Sequence, residues 1–395
     1  MKHFNNLSNE QKEKIFFKLP QEFNNETSQN SLKYAIGSLL YTPGDKKDIY
    51  TIITEKKYPE VTSMAWCLED ALCDENIQEG EENVFFQLKQ ICAAVKDDTI
   101  KENDIPLIFI RVRDVAQLRR LLLNIDTKKL HLKDDSGIKY LTGFIFPKFT
   151  SKTSRKYLNV LCSYNEALKH KFYCMPIIES SDVMYKENRY VELIKIQRDL
   201  SNDAYKDIIL NVRIGATDFS SIYGLRRGVD NTVYDISVIR DVICDIINIF
   251  GRNNRQVISG PVWEHFDQHD GHRVLKPTLR ETPFKNRQED RKDVLNTATD
   301  GLIREVLLDK SNGLCGKTTI HPSHVKYINA LQVITEEEYL DAKAILESNG
   351  SGVMKSASGN KMNEVKPHTN WAKQIVAKAS IFGVIRKDEH YANLF

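Results

Sequence analysis

Two carboxylates, Glu179 and Asp218, and two arginines, Arg111 and Arg113, each stand at or just beyond the end of a short apolar run of this 395-residue chain. A converging pair of carboxylates suits Mg²⁺, which takes one or two protein carboxylates and completes its octahedron with water and substrate oxygens. A guanidinium fork beside it is well shaped for a substrate carboxylate or carbonyl oxygen. Arg113 follows Arg111 by two residues, so on a strand both would face the same side. Asp45, Glu69, Asp70, Lys148, Glu264, His265 and His321 occupy the same kind of position. Any one of them alone is most simply a solvated turn residue. Glu179 and Asp218 could equally be rim carboxylates satisfied by Arg and Lys, and either arginine could do no more than bridge to Glu69 or Asp70.

The elements that must position these groups alternate. Strands are expected near 36 to 42, 61 to 68, 106 to 112, 141 to 146, 172 to 178, 207 to 214, 256 to 263 and 315 to 320. Helical periods follow each, near 46 to 56, 78 to 96, 114 to 124, 152 to 169, 190 to 200, 233 to 250, 290 to 309 and 336 to 348. Apolar runs alternating with helical periods indicate βα units and a parallel sheet. Eight such units predict an α/β chain folded as a (β/α)₈ TIM barrel, whose chemistry sits at the carboxyl ends of the strands. Glu179 would end the fifth strand and Asp218 the sixth, neighbours about 4.8 Å apart, both aimed into one mouth. Residues 1–35 read as an N-terminal helical extension and linker, with a capping box from Ser8 to Gln11. Residues 36–349 read as the barrel, with an insertion near 264–290, and 350–395 as a C-terminal lid or helical segment.

Lys plus Arg number 56 against 54 Asp plus Glu, so no strong net field gathers nucleic acid or an anionic membrane. Neither is expected as a partner. Seven scattered cysteines without a C-x-x-C pair fit reduced core thiols. With no signal-like N-terminus and no apolar run of spanning length, a cytoplasmic location is expected.

The segments SLLYTPGDKKD (38–48), LEDALCDEN (68–76), IRVR (110–113), FPK (146–148), PIIES (176–180), IGATDFSSIYG (214–224) and GKTTIHPSHVKYINA (316–330) occur in that order. Together with GNKMNEVKPH (359–368), this series resembles the HpcH/HpaI aldolase and citrate lyase β-subunit family over roughly residues 36 to 370. ISGPVWEHF (258–266) looks more like the offshoot found beside tellurite-resistance and stress operons. The resemblance implies Mg²⁺, with Mn²⁺ as the alternative, on Glu179 and Asp218. It implies Arg111 as the substrate-gripping arginine, with Glu69 and Asp70 holding metal-bound water and orienting that arginine, and Lys148 as a surface or phosphate-facing charge. Arg113, on the same strand face as Arg111, would share its task, and Asp45 and Lys148 are counted with them as substrate-binding. It also implies a trimer or pair of trimers in which a neighbour's lid supplies an acid. The nearest match to that acid is Glu364, in a closing motif altered by an extra residue before Pro367.

The implied reaction is C–C bond cleavage or formation through a metal-stabilised enolate of an oxo- or hydroxy-acid, free, as a CoA thioester or within a larger biosynthetic intermediate. Condensation or thioester hydrolysis would use the same site. A catalytically silent barrel binding a metabolite or protein in a stress-response pathway is the alternative. No Gly-rich phosphate loop marks a CoA site. Lys148 could be read as a Schiff-base lysine, but Pro-Lys after the fourth strand fits the metal-dependent family. His321 reads as fixing the turn before Pro322. His265, His269 and His272 have metal-like spacing without a flanking element to fix them. The run 276 to 292 reads as a solvated connection, 228 to 250 as a helix covering the barrel, and the glycines near 349 to 359 as a hinge.

Overall fold

The computed structural model describes residues 1–266, 297–348, 352–356 and 359–395. Apolar strands of near-continuous burial form the eight-stranded parallel sheet. They are β2 (Ser38–Pro43), β3 (Ser63–Cys67), β4 (Leu107–Arg111), β5 (Leu141–Phe146), β6 (Tyr173–Ile178), β7 (Asn211–Ile214), β8 (Val257–Ser259) and β9 (Lys317–Thr319). They pair in chain order, and β9 returns to pair with β2. The bridge between Gly260 and Lys317, with the Gly260 amide donating to Gly316 O at 3.0 Å, brings β8 to β9 and completes the circuit. All eight expected strands are present, and the (β/α)₈ TIM barrel expected from the pattern is the fold.

Side chains alternate across each strand. On β3, Met64 and Trp66 pack outward among the covering helices, whereas Ala65 faces the lumen. On β7, Val212 and Ile214 face outward, so Asn211 and Arg213 turn inward. The helices that supply the outer layer include Ile77–Lys96, Val115–Thr127, Ser154–Leu168, Lys186–Leu200 and Ser237–Phe250. The last buries Ile239, Val242, Ile243, Ile246 and Phe250 along one stripe, as its apolar period requires.

The amino ends of the strands are sealed by the N-terminal residues. Met1, Phe4, Phe16, Phe23 and Leu32 join Leu39, Ala65, Phe109 and Met175 in one apolar cluster. The stretch 21 to 31, within the region expected as an extension and linker, holds the buried Phe23 and opens the helix Gln29–Ala35. The expected capping box is present: Ser8 N donates to Gln11 Oε1 at 2.8 Å, Gln11 N to Ser8 Oγ at 3.2 Å, and the helix Asn9–Ile15 follows. Its end runs into β1 (Phe16–Lys18).

The helix 336–348, expected directly after the eighth strand, takes a different role. A short 3₁₀ turn, Pro322–His324, and the helix Val325–Gln332 follow β9 instead. Glu336–Glu347 packs on the last helix, Val365–Phe382, because Ala342 and Ile345 share a separate apolar cluster with Val365, Ala372, Ile375 and Ala379. Between these two helices lies the hairpin of β11 (Val353–Lys355) and β12 (Met362–Glu364). β13 (Val384–Ile385) then pairs with both β1 and β10 (Ile334–Thr335), tying the two ends of the chain together. His269, His272 and the run 276–292 lie outside the described residues, as does part of the 349–359 stretch.

Candidate active site

Arg111 is the last residue of β4 and is 8% exposed. Its Nη2 lies 2.5 Å from Glu69 Oε2, 3.0 Å from Asp70 Oδ2 and 3.7 Å from Glu179 Oε1. Glu69 and Asp70 stand just past β3, the strand beside β4, so strand order alone delivers these acids to the guanidinium. Lys148 follows β5 in a left-handed conformation (φ 47°), which turns its amide inward to donate to Glu179 Oε1 at 2.7 Å. Its ammonium donates to Glu69 Oε1 at 2.7 Å. The four strand ends β3 to β6 therefore share one network of Glu69, Asp70, Arg111, Lys148 and Glu179.

Glu179 is 4% exposed. Burial pushes its pKa up to about 8; Arg111 opposes this, and the negative charge of Asp218 adds to it. Asp218 lies in the first turn of the helix Ala216–Ile222, which starts straight after β7 and Gly215. A Cβ on Gly215 would fall 2.3 Å from Glu179 Oε2 and 2.5 Å from its Cβ, so only glycine leaves Glu179 in place. Burial likewise raises the Glu69 carboxyl, against the pull of Arg111, whereas at Asp70 burial is outweighed by Arg111, the Glu69 hydrogen bond and Lys148 together, and the pKa is lowered.

Of the remaining expected residues, Arg113 turns away from Arg111 and pairs with Asp74 at 2.6 Å. Asp45 lies in the turn after β2, whose carbonyls at Gly44 and Lys46 accept from Asn83 Nδ2 at 2.7 and 2.9 Å. Glu364 ends β12, and its amide donates to His368 Nδ1 at 3.1 Å. The helix that follows packs beside Gln29–Ala35 at the amino end of the barrel, so within one chain Glu364 does not join the mouth. His321 Nδ1 lies 2.7 Å from Ser323 Oγ, and the ring stacks on Phe266 at 4.4 Å, fixing the turn.

Sequence reasoning passed over two sets of residues, apart from Glu264, which it named at a strand end. Inside the lumen, Tyr41 and the fully buried Arg213 lie below the strand-end cluster. Arginine within a buried strand, in register with the lumen face, was the available signal. Behind β8 and β9, Arg227 reaches Glu264 at 2.8 Å and also Glu305, while Lys317 pairs with Glu305 at 2.8 Å and Asp309 at 2.7 Å. Thr217 donates to Glu264 at 3.2 Å, so this buried network braces the start of the helix that carries Asp218.

Among the described residues no three or more His, Cys, Asp or Glu side chains cluster as a ready-made metal cage. Glu179 and Asp218, whose charges bear on each other, are oxygen donors of the kind that could hold a hard cation with water and substrate oxygens. No helix of the described residues is long and apolar enough to cross a membrane.

Comparison with solved structures finds Haloferax volcanii malate synthase in its lead(II) complex at a TM-score of 0.51, 11% identity and 88% coverage of each chain. Also similar are CitE from Mycobacterium tuberculosis with magnesium, acetoacetate and coenzyme A (TM-score 0.48, 15% identity, 87% of this chain and 97% of that one), and RipC from Yersinia pestis (0.43, 15%, 76% and 95%). Comparison with curated proteins gives no match. Residues 30–384 match the model of a family described as C-C bond lyase of the TIM-barrel fold, and with nearly the whole barrel matched the chain belongs to that lyase family.

Proposed function

We propose that this lyase acts on an oxo- or hydroxy-acid with a divalent cation, Mg²⁺ or Mn²⁺, held by Glu179 and Asp218. The observation that carries this reading is the buried Glu179, whose proton affinity is raised by burial and by Asp218. Two carboxylates converging in a low-dielectric mouth repel unless a cation or a proton sits between them. The narrow cradle against Gly215 restrains one carboxylate oxygen of Glu179, which supports its use as a ligand. The donor set, oxygens only, fits a hard cation.

When bound, such an ion supplies Lewis-acid stabilisation of negative charge on a substrate oxygen. The chain's own groups do the rest. Arg111 has donors beyond those spent on Glu69 and Asp70, and it faces the mouth to bind a substrate carboxylate or carbonyl oxygen. Glu69 and Asp70 hold that guanidinium in place. Lys148 ties Glu69 to Glu179 through its side chain and its amide. Asp45 and Arg113 stand outside this network, in the position of rim residues for a longer substrate or a CoA thioester. Glu364, placed at the far end of the barrel, could serve only the mouth of another subunit.

Calorimetry and thermal melts with Mg²⁺ and Mn²⁺, with and without pyruvate, oxaloacetate, glyoxylate and acetyl-CoA, test this reading. A ligand at about 100 times its Kd stabilises by about 2.7 kcal/mol. The wild type should show a metal response of that order, increased by an oxo-acid, and the Glu179→Gln, Asp218→Asn double variant should lose it. An identical metal response in both proteins would place the metal elsewhere and defeat the reading.

A further inference from the structure

The lumen holds a cation that the proposed metal site does not use. Arg213, 1% exposed, lies on β7 in register with Ile177 and Ser259, two residues before Gly215. That sets it roughly 6.6 Å, or one lumen layer, deeper than the Glu179 cradle. Its Nη2 donates to Thr318 Oγ1 at 2.7 Å, while Nε and Nη1 have no hydrogen-bond partner among the described residues. No carboxylate among the described residues pairs with it. A buried guanidinium left this way is costly, and the site must return something for it.

Arg213 lies next to Tyr41 in the lumen: Thr318, to which it donates, is in register with Leu39 on β2, and Tyr41 is the next lumen residue of that strand, close enough for the two side chains to act on each other's charge. Tyr41 projects into the lumen from β2, where its register partner is the small Ala65, and its ring lies 5.9 Å from Arg111 Cζ. Tyr41 is half-buried. The lumen beneath it is sealed by Leu39, Phe109 and the N-terminal aromatic residues, so its exposed part opens toward the mouth. The phenol thus has two guanidiniums near it in the lumen, Arg111 and Arg213; Cys67 and Glu179 are the other ionisable groups that bear on it. Burial keeps it protonated at rest, as an acid must be. Two fixed cations contribute little to a neutral phenol and much to the charge that appears on its oxygen as the proton leaves.

We propose that Tyr41 is the acid that protonates the substrate's enolate carbon after C–C cleavage, and that Arg213 is its positioning residue. This rests on the lyase reading of the Glu179 and Asp218 mouth. In the step, the carbon's electron pair takes the phenolic proton: a C–H bond forms, the O–H bond breaks, and the O–H pair stays on the Tyr41 oxygen. Water then reprotonates the phenolate, balancing the proton that the substrate hydroxyl released to solvent on cleavage. Tyr41 would provide within one chain what Glu364 could provide only across a subunit boundary.

The reverse step is observable as exchange of the methyl protons of pyruvate in D₂O with Mg²⁺, followed by NMR in alkaline buffer on the full chain, with calorimetry of Mg²⁺ and pyruvate binding in parallel. Tyr41→Phe should bind both within about twofold of wild type and lose exchange by about 10²-fold or more, the usual weight of a positioned acid or base. Arg213→Gln should lower exchange at saturating pyruvate by about tenfold with binding kept, and Arg213→Lys should recover part of it. Exchange in Tyr41→Phe within about threefold of wild type overturns the proposal. So does loss of binding together with exchange, which would make Tyr41 a binding residue, and so does loss of exchange in Glu364→Gln with Tyr41→Phe still active. A wild type that binds Mg²⁺ and pyruvate without exchange refutes the proton role and leaves the metal site standing; one that binds neither defeats the reading on which the role rests.

Discussion

Glu179 carries opposing demands within a single side chain. Its burial penalises the carboxylate, the nearby Asp218 repels it, and Arg111 and the Lys148 amide favour it, with a net pKa of about 8. Because this lies above the ordinary 4.5, the folded protein binds the proton more tightly than the unfolded chain. The associated stability is complete below about pH 4.5 and is lost as pH rises through about 8. In chelator, the wild type should therefore lose more thermal stability between pH 6 and pH 9 than Glu179→Gln, which has no proton to lose. Parallel melts of the two proteins at both pH values check it. Residue identity at this site was legible in the sequence because a strand end exposes its last side chain to the mouth. Arg113 shows the limit: it shares the parity of Arg111, but the strand has ended before it, and the side chain follows the loop to Asp74.

Elements decide how closely those residues approach. The helix Ala216–Ile222 begins so tightly against β6 that Gly215 abuts Glu179, and any Cβ there meets the carboxylate and its stem. Gly215→Ala should push Glu179 from its place and weaken Mg²⁺ binding by about tenfold or more, the scale of a disturbed metal site. Overall stability should change much less, and calorimetry beside a denaturant melt separates the two effects. The eight strands were readable because buried parallel strands are continuous apolar runs. The helix after β9 was not: the sequence 336 to 348 has a proper capping box at Thr335 and Glu338, yet nothing local reveals that its apolar face belongs to Val365–Phe382 rather than to the barrel.

Across the whole molecule, the chain ends are part of the barrel's closure. His3 stacks on Phe382 at 4.5 Å, and burial lowers its pKa to about 3. An unfolded histidine titrates near 6.5, so the stability it contributes is complete above that value and falls as pH drops toward 3. Between pH 6.5 and 5 this amounts to roughly 2 kcal/mol for one proton. His3→Gln should flatten that acid limb of the stability profile, measured by denaturant melts across the range. A wild-type profile equally steep in the variant would show that the N-terminus opens before the barrel unfolds.

By itself the sequence determined the repeating βα pattern, and hence the barrel and the strand ends that carry Glu69, Asp70, Arg111, Lys148, Glu179 and Asp218. Those properties follow from local periodicity, which a two-residue or 3.6-residue repeat records directly. Only the tertiary structure decided which of them meet, since the distances among Arg111, Glu69 and Glu179 depend on barrel closure. It also decided that Arg113 leaves the group, that Glu364 lies at the opposite end, and that Tyr41 and Arg213 come near each other in the lumen. Contacts between strands far apart in sequence are set by the twist and register of the whole sheet, which no local pattern encodes.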